Sequence, residues 1–429
     1  MSSPDPQETI AQPPAAASTP LTRRGVPTDP DLRVLALATL VNRAGSGAST
    51  TTFAIFFTRD VGIAPTTVGL LLSIAALVGL LGQVPLGHLG DVTGPRELLR
   101  TLTIASGVVL LGLLVARSPW ALGVVLGLAT LLSSGSGAVR NGMIARIATG
   151  GRGVAFKAYL RAVTNVAMSF GAALGGLALL VDRTWVYLAV FALDGLCTIA
   201  AGLVVARLPH LTPSPARLAG EPRLAVLRDR PYVLVTLLTG IVAMHFAVME
   251  VGIPLWIAEH TDAPTWMVSV LLVLNTVVVA LFQVRLSRGA DDVTSSARTM
   301  VLGCAWIAAG FAVIAVSAGV TRWVAVAVLL VGAGTHVVGE MVSSAGQWGL
   351  TMGLAPTERQ GQYQGFAGTG FSLSNVVAPT LIVWLCIEWG WEGWLVIGAL
   401  VLASGLLLVP VSAWALRTRE RYGALSATG

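Results

Sequence analysis

An all-α integral membrane fold, with about twelve transmembrane helices in two pseudo-symmetric six-helix bundles around a central cavity, is what this sequence predicts. Three observations carry the prediction. Charged residues make up only 11% of the 429-residue chain and hydrophobic ones 55%, with a mean hydropathy of +0.78. Soluble domains carry about 25% charged residues, so this composition is built for lipid. Apolar runs near or above the ~20 residues that cross a hydrocarbon core recur along the whole chain. The second half of the chain weakly repeats the first.

Taken in order, residues 1–32 are rich in Pro, Ala, Ser and Thr and lack an apolar stretch of signal-peptide length, so a disordered cytoplasmic tail is expected. Six runs follow, at roughly 33–57, 65–88, 98–116, 120–146, 154–181 and 185–206, predicting an N-terminal bundle over 33–206. The longest internal connection, 207–230, holds Pro209, Pro213, Pro215 and Pro222 and reads as a cytoplasmic linker. Six further runs, at roughly 231–258, 265–286, 298–318, 322–352, 362–387 and 392–416, predict a C-terminal bundle over 231–416. Residues 417–429 form a second cytoplasmic tail. The repeat shows in Gln83-Val84-x-Leu86 against Gln283-Val284-x-Leu286, and in Asp91-Val92-Thr93 against Asp292-Val293-Thr294.

The formal charge of +6 raises nucleic acid as a partner, but no dense basic cluster with interleaved aromatics occurs, and nucleic-acid binding is set aside. The arginines are topology signals instead. With the N-terminal tail inside, the outer loops hold only Arg59, Arg117, Arg183 and Arg322, whereas both tails and every inner loop are arginine-bearing. Trp120, Trp185, Trp256, Trp266, Trp323, Trp389, Trp391 and Trp394 fall near the outer ends, as an aromatic belt does. Both termini are therefore expected in the cytoplasm, and the location is a bacterial plasma membrane crossed many times. Cys197, Cys304 and Cys386 each sit in an apolar run without metal-ligand spacing, so neither a disulfide framework nor a metal site is expected. No cofactor is implied.

Between the second and third runs, Gly87-x-Leu89-x-Asp91-x-x-Gly94-x-Arg96 predicts a tight, charged hairpin whose glycines let helix ends approach. This spacing resembles the loop between helices two and three of the major facilitator superfamily. It departs at Val92 and Pro95, and of the basic residues in that pattern Arg96 is the one present. The resemblance implies that Gly87, Asp91, Gly94 and Arg96 form a conformational latch on the cytoplasmic side. The fifth run carries Gly171-Ala172-Ala173-Leu174-Gly175-Gly176, similar to a stretch of the drug/proton antiporter branch, with Ala172 where that branch has proline. Close helix packing by small residues accounts for it equally.

Ionisable residues inside the spans cost ~2.5–3.5 kcal/mol each on insertion scales and need a partner, water or a function. Counted from interfacial anchors, Arg43, Arg140, Glu250, Glu340 and Asp194 all fall within the bilayer. Arg140 also fits a side chain reaching for inner headgroups, and Asp194 a silent polar pair. His245 and His336 fit satisfied bundle histidines or a coupling role, and His336 shares a face with Glu340 at i,i+4. By the resemblance, the first, fourth, seventh and tenth helices line the cavity, which favours Arg43, Arg140, Glu250 and Glu340 and ranks Asp194, on the sixth, below them. Arg140 and Glu340 occupy equivalent repeat positions, so an Arg140–Glu340 interaction is expected near the cytoplasmic end.

These readings point to a monomeric secondary transporter that exports a small hydrophobic compound or drug by alternating access, coupled to protons through Glu250 or Glu340. An apolar, Met-containing cavity is expected. Proton-coupled uptake of a nutrient is the alternative, with a non-transporting membrane receptor behind it. An enzyme is not expected: Asp291-Asp292 lacks a third ligand for a divalent cation. No GxxxxGK[ST] loop is present for ATP.

Overall fold

The computed structural model describes residues 26–148, 151–214 and 224–419. The greater part of both tails and the middle of the linker lie outside these residues. Among the described residues, twelve helical spans run antiparallel in chain order. The first six are α1 (Pro30–Ile55), α2 (Pro65–Thr93), α3 (Pro95–Leu114), α4 (Pro119–Ile147), α5 (Gly151–Val181) and α6 (Thr184–Val205). The second six are α7 (Arg230–His260), α8 (Met267–Leu286), α9 (Val293–Ala315), α10 (Arg322–Leu354), α11 (Thr357–Glu388) and α12 (Trp391–Arg417). The end of the molecule where α1 begins and α12 finishes is called the near end here, and the opposite one the far end.

Local chemistry sets the starts. Pro30, Pro65, Pro95 and Pro119 each open a helix, where the missing N–H has no intrahelical partner to lose. Asp29, Ser118, Asp229 and Asp292 cap α1, α4, α7 and α9 with side-chain oxygens. Spans α2 to α12 are long and apolar enough to cross a membrane. With 26 residues, or ~39 Å at ~1.5 Å each, α1 has the length but not the hydropathy. The deficit comes from Asn42, Arg43, Ser46, Ser49 and Thr50, which face a cavity rather than lipid. Short π turns interrupt α7 at Val248–Gly252 and end α1 and α11 at Phe56–Asp60 and Val383–Glu388.

The expected hairpin is tighter than the sequence indicates. Helix continues through Pro85, Gly87 and Asp91 to Thr93, and Gly94 alone joins α2 to α3, at a φ of +107° that favours glycine. Residues 30–32, placed in the tail by the sequence, are the first turn of α1.

Two bundles with the same internal pairing make up the molecule. In the first, α1 packs on α5 and α6, α2 on α4, and α3 on α4 and α6. Six helices later, α7 packs on α11 and α12, α8 on α10, and α9 on α10 and α12. The repeat thus extends from short sequence matches to the whole packing scheme. The bundles differ inside. One large apolar core runs through the second, including Trp256, Phe311 and Trp394, with a small separate cluster of Val279, Val337 and Met341 beside it. In the first, a near-end cluster around Leu32, Leu99, Ile144 and Phe156 is separate from a far-end cluster around Phe53, Phe56, Phe57 and Phe191. Polar residues occupy the level between them. Six of the eight far-end tryptophans are exposed, but Trp256 and Trp394 are buried and pack on each other at 5.5 Å, so they are core residues rather than belt residues. Trp256 donates its indole N–H to Ser317 at 2.9 Å.

Candidate functional site

Three places carry the charge chemistry: a cavity in the first bundle, a network between the bundles, and a node at the near end.

The cavity has a volume of about 750 Å³ and is walled by α1, α2, α3, α4 and α6, with α11 closing one side. Arg43 (α1), Arg140 (α4) and Asp194 (α6) face it among hydroxyl and amide side chains, while Phe53, Leu72, Leu113, Leu126 and Phe371 supply an apolar wall. No methionine lines it, and the expected apolar, Met-containing cavity is corrected to an amphipathic, cationic one. Of the four helices expected to line it, α1 and α4 do; α7 and α10 do not. Asp194, ranked below the other carboxylates from sequence, is the one that reaches the cavity. It accepts a hydrogen bond from Ser46 at 3.3 Å, and it attracts Arg43. Neither Arg43 nor Arg140 makes a salt bridge among the described residues, and the buried Nε of each has no protein acceptor. The two guanidinium groups also repel each other.

The network joins α5 of the first bundle to α10 of the second. Arg161 pairs with the Glu340 carboxylate and donates a second hydrogen bond to Ser344 at 2.7 Å. Asn275 on α8 donates to the other Glu340 oxygen at 2.9 Å. Arg161 also lies 5.0 Å over the Phe246 ring of α7. One turn from Glu340 along α10, His336 meets His245 of α7, ring nitrogens 3.2 Å apart, and stacks on Phe311. That hydrogen bond requires one ring to donate and the other to accept. The expected local pair of His336 with Glu340 is therefore replaced by a pair of histidines, with Glu340 engaged elsewhere.

The expected Arg140–Glu340 interaction is not formed. Between the bundles, α5 packs on α8 and α10 while α4 packs on α11, so α4 does not face α10 at this depth. Arg161, on the helix that does face α10, takes the carboxylate. Glu250 is also corrected: it is exposed in the π turn of α7 and lies outside the cavity. Arg161 and Lys157 are the site residues that sequence reasoning missed. Arg161 lies ten residues into α5, the same depth that singled out Arg43, and applying that rule evenly finds it. Lys157 faces Gln364 of α11 at 3.5 Å and repels Arg140.

At the near end, Asp91 reaches across to the N-terminus of α11 and accepts the backbone N–H groups of Gly361 at 2.9 Å and Gln362 at 2.8 Å. A carboxylate on the unpaired amides of a helix start is a charge-assisted contact favoured by the helix dipole. A Cβ on Gly87 would overlap the Gly361 carbonyl, which is the close approach the glycine permits. Gly94 makes the turn, and Arg96 pairs with neighbouring Glu97 at 3.7 Å rather than with Asp91. Arg146 and Arg359 supply the attraction to Asp91 instead. The linker reinforces this node: Ser214 donates its N–H to the Asp91 carbonyl at 2.8 Å and its hydroxyl to the Glu358 carbonyl. From the other bundle, Tyr363 donates to Asp229 at 3.0 Å and Tyr232 donates to the Tyr363 carbonyl at 3.2 Å. Burial pushes the Asp229 carboxyl up, against the bonds from the Tyr232 amide and the Tyr363 hydroxyl.

In the second bundle the place of Asp91 is taken by Asp291, which the Gln83–Gln283 offset aligns with it, and not by Asp292 of the Asp-Val-Thr match. The Asp291 carboxylate sits against Gly151 at the start of α5, as Asp91 sits against the start of α11. Asp292 caps its own helix through Ser295 at 2.8 Å. Gly171 and Gly175 seat α5 against the α1 backbone at Ala44 and Ala48, so the small-residue stretch is a packing seam here. The three cysteines are unbonded, and no three His, Cys, Asp or Glu side chains gather for a metal among the described residues.

Two repeat-related helical bundles, joined at one end by a charged node and enclosing a polar cavity, have the build of a membrane transporter rather than an enzyme. The chain belongs to the Major Facilitator Superfamily, whose model matches residues 35–367. The same fold is found in solved structures of low identity. The human organic anion transporter MFSD10 (TETRAN) is 13% identical with a TM-score of 0.64, over 88% of this chain and 98% of that one. A bacterial homologue of the iron transporter ferroportin, in an outward-facing state, is 15% identical with a TM-score of 0.65, over 90% and 99%. The proton:xylose symporter XylE is 12% identical with a TM-score of 0.63, over 88% and 94%. No curated protein sequence matches the chain.

Proposed function

We propose that this secondary transporter exports a small, partly apolar molecule across a bacterial plasma membrane in exchange for protons, acting as a monomer. The units 33–206 and 231–416 move as bodies about the linker, and the near end with both tails is cytoplasmic. The arginine asymmetry of the loops supports that orientation. The helix pairings between bundles run from the near end to mid-depth, through α2–α11, α4–α11, α5–α8 and α5–α10. On that orientation, the conformation is one closed toward the cytoplasm.

One observation carries proton coupling: Glu340, 3% exposed, is the carboxylate that ties the bundles together through Arg161. Protonation would cancel the charge that holds Arg161 and loosen the α5–α10 contact, linking a proton to the change of state. Phe371 lines the cavity and packs edge-on against Phe246 at 5.6 Å, beneath Arg161. Cargo in the cavity is thereby two aromatic rings from the ion pair.

The test is flux in proteoliposomes under an imposed pH gradient, comparing wild type with Glu340→Gln. Counterflow of protons and cargo in wild type, with gradient dependence lost in the variant, is the expected result. Co-directional movement would convert the reading to uptake. Full gradient-driven activity in Glu340→Gln would remove Glu340 from the mechanism.

A further inference from the structure

The cavity holds more positive charge than its own residues neutralise. Arg43 and Arg140 face it, Lys157 approaches it through Gln364, and Asp194 is its one lining carboxylate. Asp194 is already satisfied in part by Ser46. Other carboxylates nearby are spoken for: Asp91 by the α11 amides and Glu340 by Arg161 and Asn275. Two guanidinium groups that repel each other, each with a buried Nε lacking a protein acceptor, form a costly arrangement unless an anion completes it. Arginine's planar fork matches an oxyanion head in two-point contact. Opposite the arginines, Phe53, Leu72, Leu113, Leu126 and Phe371 form an apolar wall.

From this juxtaposition we infer that the cargo is a small organic anion, its carboxylate or other oxyanion head held between Arg43 and Arg140 and its apolar body against the aromatic and leucine wall. A volume of about 750 Å³ accommodates a drug-sized molecule. Asp194 is then a specificity residue: it opposes the anion, tempering affinity so that the cargo can leave. The inference rests on the transport reading for its physiological meaning, but not for its test.

Binding is measured on the full chain in detergent, by thermal unfolding and tryptophan fluorescence, with no gradient present. The probes are linear and aromatic carboxylates and arylsulfonates, each beside its neutral amide and its quaternary ammonium counterpart. At least one anion is expected to bind saturably, about ten-fold or more tighter than its amide, and to lose about ten-fold on Arg43→Gln or Arg140→Gln. Asp194→Asn is expected to tighten the same anion several-fold, a gain that a folding defect does not mimic. Arg140→Lys, which keeps the charge but not the fork, falls between wild type and Arg140→Gln. Absence of any anion preference, equal binding of amide and anion, binding of inorganic anions alone, or weaker binding in Asp194→Asn would each overturn the inference. If organic anions bind but no gradient drives flux, the transport reading fails and the site stands. If neutral compounds are driven and anions do not bind, the site assignment fails alone.

Discussion

Two charge clusters at mid-depth answer the cost of buried charge in opposite ways. Between the bundles, Arg161, Glu340, Asn275 and Ser344 satisfy one another, and the carboxylate is shut away from solvent. In the first bundle, Arg43 and Arg140 are left partly unpaired against a cavity. A saturated network stores specificity for one arrangement of helices, whereas an unsaturated one keeps a place for something that comes and goes. On the proposed reading, the two clusters divide the work of a transporter, one holding the conformation and the other meeting the cargo.

The sharpest way to break this comparison is to truncate one arginine from each. Arg161→Ala strands Glu340 as a buried, uncompensated carboxylate, a loss of about 3–5 kcal/mol by the rule for broken buried pairs. Because Arg161 is 21% exposed, solvent access places the effect at the lower end. Arg140→Ala instead relieves repulsion from Arg43 and Lys157, and stability is expected to hold within about 1 kcal/mol or to rise. Thermal unfolding of the two variants in the same detergent reads the contrast. Equal destabilisation by both would mean that the cavity arginines are structural after all.

A second, smaller effect separates the near-end node from both clusters. Asp91→Asn keeps the size and one acceptor oxygen but loses the negative charge that receives the Gly361 and Gln362 amides. Hydrogen bonds to a charged group contribute about 1.5–3 kcal/mol, and part of that is expected to be lost from the closed state alone. Cysteine-accessibility labelling of residues in the α2–α11 seam should then rise without a matching fall in unfolding temperature. A large fall in unfolding temperature with unchanged labelling would make Asp91 a fold residue rather than a latch.

The sequence made the architecture legible because membrane spans announce themselves. Eleven of the twelve are apolar enough to be seen by composition alone, and α1 is betrayed by its length and its flanks. The near-end contact of Gly87 and Asp91 was readable for the same reason: they are at a helix end, where spacing fixes what meets what. Mid-bundle pairing was not. The repeat offset equates Arg140 with Glu340, but equivalent positions in two repeats need not touch, and the contact goes to α5 instead. Glu250 was placed by its depth and by the helix that carries it, and neither fixes which way a side chain in a π turn faces; it is exposed, outside the cavity. Arg161 carried a depth signal equal to that of Arg43 and was passed over inside an otherwise apolar run.

The finest test lies in two adjacent carboxylates. Asp292 is an N-cap whose carboxyl is held below the usual carboxylate range, first by the Ser295 amide. A depressed folded value means that its contribution is whole above the unfolded pKa of about 3.9 and fades as pH falls through the lower folded one, so the cap is intact at neutral pH. Asp292→Ala should therefore fray the start of α9, a local change seen in amide exchange at Ser295 and little else. Asp291, one residue earlier, faces the start of α5 across the bundle boundary. Its removal should raise labelling in the α5–α8 seam, in the manner of Asp91→Asn but more weakly, since it shares the position without the two backbone amide bonds that Asp91 accepts. Should Asp291→Ala leave that seam unchanged, the second hairpin would keep the geometry of the repeat while the latch belonged to the first bundle alone.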